Sequence, residues 1–245
     1  MNEISLYPYT LREAWDRNEL RQFNDSLFQN AQCARDIERS IHGHFAGGVL
    51  RAGCAEAVLE QYGFKRVNFV LANSVKEMER PELISGEARN WCGRIHVPPN
   101  EMYNRYFAVR CDVPLLESFI GQTRQAYQAL GLFGPEQCDG DRHEQDYTGK
   151  VLVLSPDTLR ESCWTPENQL WYAHDGFGCS PHAIGRSIRA TCLGDGEMTR
   201  WNRSDFIGAL DEQYLPDWAK ERLAELCGPR QEQDAGPTMG GMTMN

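Results

Sequence analysis

Lysine is nearly missing from this chain: of 25 basic residues only Lys65, Lys76, Lys150 and Lys220 are lysines, and the other 21 are arginines. Coding bias is the plain reading, although the planar arginine fork also suits interfaces and ion pairs better than an ammonium does. Long apolar runs are missing too. The best, Val67 to Ala72, is broken by Asn68 and falls far short of the roughly 18 residues of a membrane helix. The opening Met-Asn-Glu-Ile-Ser-Leu-Tyr-Pro-Tyr has no basic start and no apolar core, so no secretory signal is expected and the location expected is cytoplasmic. Nine cysteines are present, at 33, 54, 92, 111, 138, 163, 179, 192 and 227, but no two form a CxxC pair. That removes the basic unit of zinc ribbons and thioredoxin-like sites, and the odd, scattered set suits reduced, buried thiols better than a disulfide framework. There is no GxxxxGK[ST], no GxGxxG after a strand, no GxSxG and no HExxH, so the commonest nucleotide, hydrolase and zinc-protease chemistries lack their motifs and no cofactor is expected.

What is present is acid, unevenly placed. The net charge is −10, with −1 over residues 1–133, −4 over 134–149 and −5 over 150–245. A field of that sign repels nucleic-acid backbone, which needs a basic face.

The apolar pattern predicts an α+β chain in two parts. Thr10 and Glu13 form a capping box opening a first helix. Leu20, Phe23, Leu27, Ala31, Ala34, Ile37, Ile41 and Phe45 then trace one stripe in steps of three and four, ended by Gly47-Gly48. Helices are expected over 52–62, with Gly63 as cap, over 65–78, after Ser85, and over 115–130 behind Pro114, with a possible strand only at 106–110. Residues 1–133 therefore read as a helical domain and 134–149 as an acidic linker without apolar period. Residues 150–227 read as a small α+β domain with a short antiparallel sheet. Its expected elements are strands at 151–154 and 170–172, a short helix from Ser155 through Glu161, a hairpin of 187–193 with 197–201 around Gly194-Asp195-Gly196, and a last helix over 216–226. Residues 228–245, rich in Gly, Met, Thr and Pro, read as a disordered tail.

Candidate chemistry is thin. His42 and His44, two apart, fall on different helix faces and suit a helix end, not a shared metal. Asp175-Gly176-Phe177-Gly178 reads as a tight turn with Phe177 packed inward, since nothing else of a kinase accompanies it. His174, Cys179 and His182 are the best lead to a metal- or thiol-dependent enzyme, without a fourth ligand or orienting carboxylate in view. Asp217, Glu221 and Glu225 repeat every fourth residue on the last helix, a solvated face in the plain reading and an imitation of phosphate charge in the functional one.

Tyr7-Pro8-Tyr9-Thr10, Tyr62-Gly63-Phe64-Lys65-Arg66-Val67, Val70-Leu71-Ala72-Asn73 and the run from Ala126 to Gly134 resemble a domain of unknown function carried on mobile and conjugative elements of gut Firmicutes. Val151 to Pro156, Gly176 to Pro181 and Arg203 to Gly208 resemble a second small module of the same elements, so that the likeness covers about residues 7–218. The resemblance assigns no reaction. It implies a setting in which cargo proteins blunt host defence, and the N-terminal half is similar to inhibitors of Cas9. The function expected is a non-enzymatic anti-defence protein that binds a host nuclease ribonucleoprotein of the CRISPR–Cas9 type and blocks its engagement of DNA. The residues expected to meet a basic groove are Asp139, Asp141, Glu144, Asp146, Asp217, Glu221 and Glu225. The alternative, a nucleic-acid-binding accessory factor, needs Arg35, Arg39, Lys65, Arg66 and Arg124 gathered on one face.

Overall fold

A computed structural model describes residues 5–98, 102–139 and 144–228. The chain divides into two compact units, one of residues 1–132 with 160–164 and one of 133–159 with 165–245.

The first unit is helical. α1 (Leu11–Asp16) starts at the predicted box: the Thr10 side chain accepts from the Glu13 N–H, and Glu13 accepts from the Thr10 N–H at 2.8 Å. α2 (Leu20–His44) buries Phe23, Ala34, Ile37 and Ile41 of the stripe, with Cys33 beside them. Its continuation stops short of Phe45, which is exposed and pairs in a two-residue antiparallel turn, β1 (Phe45–Ala46) with β2 (Val49–Leu50). Gly47 and Gly48 both take positive φ there, which a helix excludes. α3 (Glu56–Lys76) is two helices joined at Gly63, whose φ of 74° and ψ of 165° break the ladder at the predicted cap. After the break every residue from Arg66 to Val75 is buried, so this is a helix surrounded on all sides, not an amphipathic one. Its polar members are partly satisfied from within the unit: Asn73 Nδ2 donates to the Asn104 carbonyl at 2.9 Å, and Ser74 Oγ accepts from the Val109 N–H at 2.8 Å, whereas the side-chain oxygens of Asn68 and Asn73 are buried without a hydrogen-bond partner among the described residues. α4 (Gly86–Gly93) is capped by Ser85, and α5 (Val113–Gln128) carries Pro114 in its first turn. The possible strand at 106–110 does not form, because 102–107 winds into a 3₁₀ turn that buries Asn104 and Phe107.

The start of the second half of α3 is closed by a residue from far along the chain. Glu161 accepts from the Phe64 N–H at 2.5 Å and the Lys65 N–H at 2.8 Å, the orphan donors of a helix N-terminus. Trp164 follows it onto the same spot, stacked on Phe64 with ring centroids 6.0 Å apart and edge-on to Tyr127 at 5.7 Å. A Cβ on Gly63 would overlap the Glu161 carboxylate, so glycine is required there by both φ and space.

The second unit is built on one antiparallel sheet of six strands, in the order β3-β8-β4-β5-β6-β7. These are β3 (Cys138–Asp139), β4 (Val151–Leu154), β5 (Leu170–Asp175), β6 (Ser187–Cys192), β7 (Met198–Asn202) and β8 (Phe206–Leu210). One turn of helix, α6 (Pro166–Gln169), leads into β5, and α7 (Asp217–Cys227) ends the unit. β4 is buried on both faces. Leu152 and Leu154 pack with Trp171, Ile188, Phe206 and Tyr147, whereas Val151 and Val153 pack with Leu170, Leu210 and Ala219 of α7. The predicted hairpin forms as β6 and β7, with Ile188 opposite Trp201.

Two expectations for this region are corrected. Residues 134–149 are part of the second unit instead of a spacer: β3 pairs with β8, and Tyr147 is 1% exposed. What recruits them is Arg203, whose guanidinium donates to the carbonyls of Gln145 at 2.7 Å, Gly178 at 2.8 Å and Cys179 at 2.9 Å and lies 3.9 Å from the Tyr147 ring centroid. Residues 155–160 make turns instead of a helix, and Glu161–Cys163 form a 3₁₀ turn that serves the first unit. β8 was unforeseen, since Gly208 and Ala209 mute its apolar pattern. The expected tail lies outside the described residues beyond Gly228.

Candidate functional site

The acidic residues singled out in the sequence separate into two places in the second unit. Asp217, Glu221 and Glu225 are exposed along α7, on the face of the sheet where Trp218 and Leu223 pack. Two of the three are answered within the helix: Lys220 Nζ lies 2.8 Å from Asp217 and Arg222 Nη1 lies 2.9 Å from Glu225. The Lys220 bond holds the Asp217 carboxyl below the usual range. Exposed i,i+3 pairs of this kind are heavily screened by solvent, so they trim the local field without fixing structure. Glu144 and Asp146 are exposed on either side of Gln145, next to Tyr147, which packs on the opposite face. Asp146 accepts from the Thr148 N–H at 2.7 Å, and that bond lowers its carboxyl from the ordinary value. Asp139 is exposed on the edge strand β3, and Asp141 lies outside the described residues.

The alternative basic set does not gather as a phosphate-binding face. Arg66 is 5% exposed and donates inward, to the Asn30 side chain at 2.5 Å and the Ser26 carbonyl at 3.2 Å. Arg39 is paired with Asp36 and Arg124 with Glu87, the latter at 2.5 Å. Lys65 sits 5.6 Å from the Trp164 ring centroid. Arg35 alone of the five is exposed without a described ion pair. Arg66 is in the core because the whole stretch from Arg66 to Val75 is buried.

The histidine and cysteine lead separates as well. Cys179 is 2% exposed, and burial pushes its thiol up, away from the thiolate a nucleophile or metal ligand requires. His174 hydrogen-bonds Thr191 Oγ1 at 2.7 Å, its imidazole pushed down by burial, while His182 is exposed. Among the described residues no group of three His, Cys, Asp or Glu stands where a metal could be held. Phe177, expected inside, is 77% exposed, because Gly176 and Gly178 press against the backbone of Arg186 and Ser187 and turn the ring outward.

A concave site exists elsewhere, in the first unit. A cavity of about 400 Å³ opens where α3 and α4 end, with Ala72, Val75 and Ile95 in its wall and Lys76, Arg89, Arg94 and His96 around it. Lys76, Arg89, Arg94 and His96 are all exposed. Lys76 Nζ donates to the Val97 carbonyl at 2.9 Å. Cys92, also in the wall, is buried, which raises its thiol to about 12 and keeps it neutral. The site has no local sequence signature, because its four basic groups belong to three separate stretches. The signal available was a cation at the end of each of two predicted helices.

Compared with known proteins, the chain matches one family, described as a protein of unknown function (DUF3849), over residues 6–128. That span is half of the chain and stops before Glu161 and Trp164, which complete the same unit. No curated protein and no solved structure matches. Among the described residues no helix is long and apolar enough to cross a membrane.

Proposed function

We propose that this chain, which belongs to the DUF3849 family of proteins of unknown function, is a non-enzymatic anti-defence protein of a mobile element. In this reading it acts in the cytoplasm, binds a host nuclease ribonucleoprotein of the CRISPR–Cas9 type, and blocks its engagement of DNA. The observation that carries the reading is the placement of charge. Residues 134–245 hold −9 of the net −10. In the described part Asp139, Glu144, Asp146 and Glu221 are exposed. Acid presented in this way is complementary to a groove that holds nucleic-acid phosphates, and it speeds encounter with such a groove. The buried Cys179 thiol supports binding over thiol chemistry, and the inward Arg66 weakens the case for direct nucleic-acid binding.

The test treats the two acidic places separately. One variant carries Asp217→Lys, Glu221→Lys and Glu225→Lys, and the other Glu144→Lys and Asp146→Lys. Each is titrated against DNA binding by a Cas9–guide complex at rising salt. At least one variant is expected to inhibit about tenfold more weakly, a loss of about 1.4 kcal/mol, with a flatter salt dependence. Wild-type potency and salt slope in both variants would remove this reading.

A further inference from the structure

We propose that the cavity at the ends of α3 and α4 is a binding site for a phosphate-bearing small molecule of nucleotide size, independent of the acidic surface. The first argument is charge. Among the described residues no carboxylate lines the cavity, and no ion pair engages Lys76, Arg89 or Arg94. Five other cations of this unit have ion-pair partners: Arg21 with Asp25, Arg39 with Asp36, Arg80 with Glu82, Arg105 with Glu77 and Arg124 with Glu87. A chain of net −10 that leaves three cations together at one opening concentrates its positive potential there.

The bland explanation is that cations simply answer helix dipoles, since α3 ends at Lys76 and α4 at Gly93. Magnitude decides against it. Two helix C-termini present about half a negative charge each, whereas three full positive charges surround the opening, before His96 is counted. Lys76 uses one of its three N–H donors on the Val97 carbonyl and keeps two.

The second argument is shape. About 400 Å³ lies within the range of roughly 300–1,000 Å³ common to small-molecule sites, and it is more space than a bare phosphate fills. Ala72, Val75 and Ile95 offer an apolar wall to a flat ring, while two guanidinium forks suit the paired oxygens of a phosphate. The neutral Cys92 thiol adds no negative charge to oppose it. The same chemistry is presented by a free nucleotide and by the phosphorylated end of a nucleic acid.

The full-length chain is titrated calorimetrically with AMP, with adenosine, and with a short oligonucleotide bearing or lacking a 5′-phosphate. AMP is expected to bind, with adenosine at least about tenfold weaker. Arg89→Glu combined with Arg94→Glu is expected to weaken AMP by at least about tenfold, with far-UV circular dichroism and thermal midpoint unchanged because both side chains are exposed. Arg89→Gln alone, a milder change, is expected to give a smaller loss in the same direction. AMP outcompeting the phosphorylated oligonucleotide assigns the site to free nucleotide, and the reverse order assigns it to a nucleic-acid end. The proposal is overturned if AMP shows no binding up to millimolar concentration, if adenosine binds equally well, or if charge reversal leaves AMP affinity intact. Reversal of the α7 acids is expected to leave AMP binding unchanged, which keeps this result separate from the fate of the inhibition reading.

Discussion

Among the described residues each unit buries one arginine, Arg66 in the helical unit and Arg203 in the sheet unit, and the two are held in opposite ways. Arg66 projects from α3 toward α2, where Ser26 and Asn30 stand four residues apart on one helix face. Its partners are positions on an element that forms by its own periodicity. Arg203 draws together the carbonyls of Gln145, in a loop, and of Gly178 and Cys179, in the single 3₁₀ turn Phe177–Cys179. The first arginine decorates a scaffold; the second assembles one. The helical unit is thus expected to keep its register when its buried charge is removed, and the segments around Arg203 to lose what defines their course.

The sharpest way to break that contrast is Arg203→Leu. Stranding a buried carbonyl costs roughly 1–3 kcal/mol; the Cys179 carbonyl keeps the Tyr147 N–H, so those of Gln145 and Gly178 together amount to about 2–5 kcal/mol, a large share of a domain's typical stability of about 5–15 kcal/mol. Hydrogen exchange is expected to rise first in residues 144–149 and 176–180. Uniform loss across both units would contradict the assembling role. Next in size is Gly63→Ala, which forces a positive φ on a residue with a Cβ and displaces Glu161, at a cost of about 2–4 kcal/mol read as a lower midpoint in chemical denaturation. Glu161→Gln at the same junction is expected to cost about 1 kcal/mol, since it weakens the cap without straining the backbone. Between these falls Arg66→Met, at about 1–3 kcal/mol, and the companion change Asn30→Leu is expected to recover part of it because an apolar pair leaves nothing unsatisfied. No recovery would mean that Arg66 holds more of the helical unit than its bonds to Ser26 and Asn30 suggest.

The same contrast explains how much was legible in the residues. The capping box at Thr10, the stripe of α2, the break at Gly63 and the proline of α5 are local signals read within a few residues, and they appear where expected. The β6–β7 hairpin carried its own turn. Missed were β3 and β8, which depend on pairings between distant segments, and the burial of Tyr147, over whose ring the Arg203 guanidinium lies. Periodicity placed Arg66 on a helix but gave no sign that this helix is enclosed on every side, which needs the whole core. The cavity was invisible for a related reason: Lys76, Arg89, Arg94 and His96 meet only after two helices end beside one another.

The Glu161–Trp164 segment has a consequence for synthesis. The helical unit is composed almost entirely of the first 132 residues, and domains generally fold in order as they leave the ribosome. Yet the amides of Phe64 and Lys65, and the Phe64 and Tyr127 rings, wait for residues made some 30 positions later. During that interval, of the order of seconds at about 5–20 residues per second, the nascent unit carries an open helix start and an uncovered aromatic face. Its last piece arrives with the first strands of the next unit already emerging, so translation through β4 separates a helical unit that has formed from one that is finished.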